Sequence, residues 1–437
     1  MRLGGRARSD APRRVEREDQ PFAADQNSPL HHIFAKITGM LLEFLQRALA
    51  SSPWLWSRHA HGSITLRAAL AAVVSFALAL ALGPPTIAWL RRRFREPNKM
   101  PSAELARLHQ SKAFTPTMGG LFVLATVAAS ALLWADWRIV YVPIAVSAAA
   151  AFALLGAYDD WIKLATSNRG LSVRTKFLAQ ITIAAAASYF VMRARSTDSA
   201  TVELAIPLVG RMVISAWAFV PWATLVIVAS SNAVNLADGL DGLAGGCLIL
   251  ASAALAVVVY AGGHAQWAAY LNIPHVAGAG ELAILATAMV GALLGFLWFN
   301  CHPASVFMGD AGSLPLGGLM GLLAVVAGQE LLLLAIGGVF VVEAASVIAQ
   351  VASYRLRGKR ILLCAPLHHH FQLLGWSEDK IVVRFWIAAA LCAVAGLAAL
   401  KAPAETSPES SQVTQLEDVT PLHTAGSKTS DFFPNYR

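Results

Sequence analysis

Three aspartates are the first residues in this sequence whose type and spacing could support chemistry. Asp159 and Asp160 are adjacent at the end of an apolar run in GAYDDWIKL, and Asp310 stands between glycines in FMGDAGS. A glycine-flanked carboxylate suits Mg²⁺, which takes one or two carboxylates and fills its other positions with waters and phosphate oxygens. We therefore predict a magnesium site on Asp310 that works on phosphates. For Asp159 and Asp160 the alternative is an ordinary charged helix end at the water boundary.

The segment SSNAVNLADGLDGLAGG carries two pairs of polar side chains between apolar runs. Asn232 and Asn235 are three residues apart, as are Asp238 and Asp241, so on a helix each pair would share a face. The glycines among them permit tight turns and the close approach of a ligand to the backbone. The pattern predicts ligand binding, and the alternative is a plain turn between two helices.

Two further segments offer groups that could hold a phosphate and a base. Lys112 and Thr115 precede an apolar run in RLHQSKAFTPTMGG, where a lysine can bind phosphate as a point charge. The alternative for Lys112 is an ordinary basic residue beside a membrane span. Asn300 and Phe307 lie in FNCHPASVFMGD, and Phe307 could stack on a planar base or simply pack on a helix.

Three consecutive histidines, His368, His369 and His370, stand in APLHHHF ahead of the last apolar run. Three neighbouring imidazoles cannot all face one metal ion on a regular element, which disfavours a zinc site. We expect them to form hydrogen bonds with phosphate or sugar instead. The sequence holds no GxxxxGK[ST] loop, so ATP-driven work is not indicated.

The elements that must position these residues are long apolar runs. Of the 437 residues 56% are hydrophobic and 14% charged, whereas soluble proteins carry about 25% charged residues. Runs of about 20 apolar residues are long enough to span a bilayer as helices. We predict an all-α polytopic integral membrane protein with about ten spans, which cover residues 67–90, 117–136, 139–157, 177–194, 213–231, 243–263, 281–299, 314–329, 331–351 and 384–401.

The two ends of the chain have a different composition from this transmembrane domain, which we place at residues 40–401. Residues 1–39 are polar and Arg-rich, and residues 402–437 form a tail with Ser, Thr and Pro. Both compositions predict disorder. Met40 opens a more ordinary beginning, so residues 1–39 are an extension or reflect a misassigned start.

Lysine and arginine in the loops predict the orientation, because cytoplasmic loops carry an excess of both. Five alternate connections hold 17 of these residues and the opposite connections hold 4. The first set is therefore predicted to be cytoplasmic, with the candidate active site at that face and both termini outside. The six arginines within residues 1–39 disagree with this orientation.

Because the basic residues flank apolar runs, the net charge of +8 predicts no nucleic-acid partner.

Five motifs together resemble a known family. TPTMGG (115–120), DDWIK (159–163), NAVNLADGLDGLAGG (232–246), FMGDAGSLPLGG (307–318) and APLHHHF (365–371) occur in the order typical of the phospho-N-acetylmuramoyl-pentapeptide transferase (MraY) family. The resemblance covers residues 40–401. It implies transfer of phospho-N-acetylmuramoyl-pentapeptide from UDP-MurNAc-pentapeptide to undecaprenyl phosphate, which gives lipid I and UMP. It also implies a requirement for Mg²⁺ and a homodimer with ten spans in the lipid of the bacterial inner membrane.

The resemblance also implies roles for individual residues. Asp310 binds the metal and is catalytic together with Asp159, Asp160 and His368, and one of the paired aspartates deprotonates the lipid phosphate. Substrate binding is implied for Lys112, Thr115, Lys176, Asn232, Asn235, Asp238, Asp241, Asn300, Phe307, Gln350, His369 and His370. We favour direct attack by the lipid phosphate with Asp159 as base, and a covalent phospho-enzyme is the rival mechanism.

The sequence departs from the family pattern at three positions, Phe114, Ala237 and Gln372, none of which is an implied metal ligand or base. The sequence pattern leaves three alternative functions. A sister enzyme that moves GlcNAc-1-phosphate onto a polyprenyl phosphate is the nearest. An ion-coupled transporter would place its acidic residues near the bilayer midplane. A catalytically dead lipid-binding protein would not need every carboxylate of the pattern.

Overall fold

The computed structural model describes residues 63–93, 115–166, 170–195 and 201–401. The predictions for residues 1–39, residues 402–437 and Lys112 lie outside these ranges. The described chain is mostly helical, with one pair of strands. The helices are α1 (Ile64–Arg93), α2 (Gly120–Trp134), α3 (Tyr141–Ala165), α4 (Val173–Arg195), α5 (Ala216–Ala237), α6 (Leu243–Gly263), α7 (Ala265–Leu271), α8 (Leu282–Asn300), α9 (Asp310–Ala327), α10 (Leu332–Ile336), α11 (Gly338–Arg357), α12 (Leu367–Leu373) and α13 (Glu378–Ala398).

Within the described residues, nine helices are long and apolar enough to cross a membrane, so the protein is a multi-pass integral membrane protein. The second predicted span, 117–136, contains α2, which has only 15 residues. The predicted span 331–351 is divided into α10 and α11 at Gly337.

The all-α prediction is wrong in one place, because an antiparallel hairpin follows α4. Strands β1 (Thr201–Ile206) and β2 (Gly210–Ser215) pair from Thr201 with Ser215 to Ile206 with Gly210. Along β1 the buried residues Val202 and Leu204 alternate with exposed Glu203, the two-residue period of a half-buried strand. The predicted outer connection 193–212 therefore contains structure of its own.

Helix α9 forms the centre of the bundle, and all of its residues are buried. It begins at Asp310 because Gly309 takes a positive φ of 71°, which favours glycine. Glycines let its neighbours approach closely: a Cβ on Gly120 of α2 would collide with the backbone of Gly312, and one on Gly156 of α3 with the carbonyl of Asp310. The start of α9 is thus packed directly against α2 and α3.

Candidate active site

The three predicted aspartates meet where α3 approaches the start of α9. Asp159 and Asp160 lie in the last two turns of α3, and Asp310 is the first residue of α9. Each offers a carboxylate oxygen, and these oxygens all lie within 4.8 Å of one another. All three residues are buried. Three like charges this close repel one another, so the cluster needs nearby cations.

Two lysines supply positive charge to this cluster. Lys163 Nζ lies 2.7 Å from Asp310 Oδ2 and 3.1 Å from both Asp159 Oδ2 and Asp160 Oδ1. Lys176 Nζ on α4 lies 2.6 Å from Asp310 Oδ2 and 3.3 Å from Asp159 Oδ2. The side chains of both lysines are partly exposed, at 24% and 19%. With every group ionised, three carboxylates and two ammonium groups leave one excess negative charge.

Backbone and amide groups fix the carboxylates in place. Asp160 Oδ2 accepts a hydrogen bond from the Ala311 N–H at 3.0 Å, at the positive end of α9. Asp159 Oδ1 accepts one from the Leu171 N–H at 2.6 Å. Asn235 Nδ2 donates to Asp310 Oδ1 at 2.5 Å and to Ser313 Oγ at 2.8 Å. The cluster is therefore oriented before any ligand arrives.

The cluster fits a hard divalent cation. Its donor atoms are all carboxylate oxygens, which Mg²⁺ prefers, and one excess negative charge is available to it. Asp310 was the single predicted metal ligand, and the structure adds Asp159 and Asp160 as neighbours within reach of the same ion. The present partners of Asp310 Oδ2 are the two lysines.

The predicted Asn232–Asn235 pair is divided between two neighbourhoods. Asn232 Nδ2 donates to Gln180 Oε1 on α4 at 2.7 Å and to the Val228 carbonyl at 2.8 Å. The amide of Asn235, one turn later, reaches Asp310. Only Asn235 therefore contacts the carboxylate cluster directly.

The turn that follows α5, residues 238–242, is held from three sides. Asn300 Oδ1 accepts a hydrogen bond from the Gly242 N–H at 3.0 Å, and Glu378 Oε1 accepts one from the Asp241 N–H at 2.8 Å. Asp241 Oδ2 lies 3.1 Å from His302 Nδ1 and accepts from the Ala304 N–H at 3.1 Å. Asp238, in the same turn, is partly exposed. The polar pattern thus marks a constrained turn beside the cluster.

The connection between α8 and α9 lies against the residues before α2. Asn300 is buried and its Nδ2 donates to the Val306 carbonyl at 2.8 Å. The Phe307 carbonyl accepts from the Gly119 N–H at 2.8 Å, and the Phe307 side chain is half-buried. Thr115 Oγ1 donates to the Ala304 carbonyl at 3.4 Å. The structure therefore brings Thr115, Asn300 and Phe307 together.

The three histidines occupy different environments. His368 is fully buried and its Nδ1 lies 3.1 Å from Glu343 Oε2. His369 is also buried, with Nδ1 2.8 Å from Gln372 Oε1. His370 is half-buried and its Nδ1 accepts from the Leu363 N–H at 3.2 Å.

Gln350, predicted to bind substrate, contacts the chain that leads to these histidines. Its Nε2 donates to the Leu362 carbonyl at 2.9 Å, and its Oε1 accepts from the N–H groups of Ile361 and Leu362 at 3.0 Å. Both ends of the amide thus hold the loop between α11 and α12.

Besides Lys163, which contacts all three aspartates, the predicted set omitted two polar residues in apolar runs, Gln180 and Glu343. Both are buried: Gln180 pairs with Asn232, and Glu343 pairs with His368. Their position inside predicted spans could have identified them, because polar and ionisable residues inside membrane spans generally mark functional sites.

Comparisons with known proteins show the family to which the chain belongs. A sequence model of glycosyl transferase family 4 matches residues 142–328, the part of the chain that contains all three aspartates. The phospho-N-acetylmuramoyl-pentapeptide-transferase of Nitratidesulfovibrio vulgaris (strain DP4) is 46% identical over 341 residues, which are 77% of this chain and 94% of that protein. Proteins of the same name are 44% identical in Koribacter versatilis and 43% identical in Methylacidiphilum infernorum, again over 77% of this chain and 93% and 94% of theirs. The chain belongs to the phospho-N-acetylmuramoyl-pentapeptide transferase family.

Proposed function

We propose that this protein transfers phospho-N-acetylmuramoyl-pentapeptide from UDP-MurNAc-pentapeptide to undecaprenyl phosphate, which forms lipid I and UMP. The observation that carries the proposal is the buried carboxylate cluster with its two lysines, in a multi-pass membrane protein of this family. The cluster lies at helix ends, where a soluble nucleotide sugar could meet the phosphate of a lipid.

The chemistry of the reaction matches the charges of the cluster. The bond between the two phosphates of the nucleotide sugar breaks, and the phosphorus that carries the sugar forms a bond with an oxygen of the lipid phosphate. Both reactants are anions, so positive charge must offset their repulsion. Lys163 and Lys176 provide two such charges on partly exposed side chains. Mg²⁺ bound by Asp310, beside Asp159 and Asp160, would polarise phosphoryl oxygens.

We assign Asp159 the role of base for the proton of the lipid phosphate, in a direct transfer. Its Oδ1 is held by the Leu171 N–H, while its Oδ2 lies beside both lysines. Asp160 is the alternative base, although its Oδ2 is engaged by the start of α9. A phospho-enzyme formed on a carboxylate is the rival mechanism, and rapid-quench isolation of a labelled protein intermediate would support it.

The setting of the site is part of the proposal. The excess of lysine and arginine in one set of connections supports a cytoplasmic active site in the bacterial inner membrane, with both termini outside. A homodimer is proposed on the family resemblance alone.

The direct test is UMP release by the purified full-length protein supplied with UDP-MurNAc-pentapeptide and undecaprenyl phosphate. We expect turnover that requires Mg²⁺ and is abolished by Asp310→Ala. The matched control is Asp379→Asn, a carboxylate at an exposed position of α13. Turnover without Mg²⁺, or an active Asp310→Ala variant, would refute the assignment. A preference for UDP-GlcNAc would identify the sister reaction instead.

A further inference from the structure

A buried glutamate–histidine pair lies outside the carboxylate cluster. Glu343 of α11 and His368 of α12 both have fully buried side chains. Glu343 Oε1 accepts the His368 backbone N–H at 3.1 Å, and Glu343 Oε2 lies 3.1 Å from the ring Nδ1. An unpaired carboxylate inside a membrane-spanning helix costs free energy. Both carboxylate oxygens of Glu343 are paired with His368. The pair therefore fixes both the backbone and the ring of His368.

The contact with Glu343 determines which way the imidazole faces. A ring nitrogen beside a carboxylate carries the proton, so Nδ1 is the donor to Glu343. The other nitrogen, Nε2, then points away from Glu343. It is buried and has no hydrogen-bond partner among the described residues. Nδ1 of the ring is thus hydrogen-bonded to Glu343, whereas Nε2 could still form a hydrogen bond.

The unused side of the ring lies against the turn at residues 238–242. A Cβ placed on Gly239 would collide with His368 Nε2. Gly239 has no positive φ, so the space taken by the ring, rather than backbone strain, is what favours glycine there. The opposite part of the same turn is held by Asn300 and Glu378. His368 therefore packs against this turn at Gly239, whereas Glu378 and Asn300 hold Asp241 and Gly242.

We propose that Glu343 is a positioning residue that acts through the His368 ring to place the turn at residues 238–242 for binding of the uridine nucleotide. The inference rests on the proposed function for the identity of the ligand, and on the polar and glycine pattern of this segment, which predicts ligand binding, for its place. Glu343 itself touches no substrate. Its loss should weaken nucleotide binding more than it slows bond breaking, because the carboxylate cluster has its own supports.

The experiment measures UMP binding by titration calorimetry, and the KM for each substrate, on the full-length protein. We expect Glu343→Ala to weaken UMP binding and raise the KM for the nucleotide sugar by about tenfold, as losses of supporting residues commonly do. The KM for undecaprenyl phosphate should change less than about twofold. The control is Glu330→Gln, a buried glutamate in the connection between α9 and α10, which should leave UMP binding and both KM values unchanged.

A double-mutant cycle separates positioning from general destabilisation. If Glu343 acts through the ring, the Glu343→Ala/His368→Ala double variant should bind UMP no more weakly than His368→Ala alone. Additive losses would overturn the proposal. Unchanged UMP affinity in folded Glu343→Ala would also overturn it.

Gly239→Ala tests the same contact with Glu343 intact, in case the glutamate variants fail to fold. Its added methyl group meets the ring, so we expect weaker UMP binding that His368→Ala partly restores. A Gly239→Ala protein that binds UMP normally would contradict the contact. Failure of the wild-type protein to bind UMP at all would refute the proposed function instead, so the two failures are distinguishable.

Discussion

Buried charges occur at both ends of the helix bundle, but they are arranged differently. Where α1 and α8 begin, Arg67 donates to both oxygens of Glu281, at 2.8 and 2.5 Å, and also to the Trp134 carbonyl. Glu281 additionally accepts from the Asp136 N–H at 3.0 Å. One positive charge meets one negative charge, and each side chain is 8% exposed. This pair is balanced and closed to solvent.

The carboxylate cluster at the other end has neither property. Its three carboxylates face two lysines, and the lysines are two to three times more exposed than Arg67. Burial of charge alone therefore does not separate a structural pair from a reactive site. The reactive site differs from the structural pair in its unequal numbers of positive and negative groups and in its two partly exposed lysines, which a ligand could contact.

The largest expected effect is the loss of turnover in Asp310→Asn. Removal of this charge should lower UMP release at least about a thousandfold, because the metal ligand and the lysine partner are lost together. The variant should still fold, since two carboxylates then face two lysines. Thermal unfolding measured beside the activity assay checks both parts, and an unfolded variant would contradict the comparison.

Disruption of the balanced pair should affect stability instead. We expect Glu281→Ala to lower the free energy of unfolding by about 3 kcal/mol, because Arg67 is left buried without its partner. Activity per folded molecule should be unchanged. The Arg67→Met/Glu281→Met double variant should recover much of the stability in a denaturation series. Loss of turnover in folded Glu281→Ala would show that this end also serves the reaction.

Lys176→Gln should increase the excess negative charge of the carboxylate cluster and so increase its difference from the balanced Arg67–Glu281 pair. We expect a roughly tenfold lower kcat/KM for the nucleotide sugar, about 1.4 kcal/mol in transition-state binding. Mg²⁺ should raise the melting temperature of this variant more than that of wild type, because one cation competing for Asp310 is gone. An equal Mg²⁺ response in both proteins would argue against a metal at Asp310.

The smallest expected effect concerns Glu330, a buried carboxylate between α9 and α10. Burial raises its pKa from 4.5 to about 7, although the nearby Arg195 acts to lower it. The folded protein therefore keeps a proton that the unfolded chain loses, and stability falls as the pH rises from about 4.5 through 7. Glu330→Gln should match wild type near pH 4.5 and be about 1–2 kcal/mol more stable at pH 8. Denaturation at both pH values measures this, and equal curves at pH 8 would refute it.

Much of the fold follows from apolar run length, because a spanning helix must satisfy its backbone internally. The hairpin was not predicted, since its alternation covers only a few residues inside a connection. The orientation of the connections places Asp159, Asp160 and Asp310 at one face, and only the family resemblance implied that they act together. Which of Asn232 and Asn235 reaches Asp310 depends on how α5 is rotated against α4 and α9, and packing decides that rotation.

Glu343 and Gln350 lie seven residues apart on α11, almost two full turns, so they face the same side of that helix. Glu343 accepts a hydrogen bond from the His368 N–H, and Gln350 forms hydrogen bonds with the loop at residues 361–362. Deletion of one residue between them would leave a continuous helix but swing Gln350 about 100° away from its loop. The position of the histidine segment therefore depends on the seven-residue spacing between Glu343 and Gln350 as well as on the identity of these two side chains.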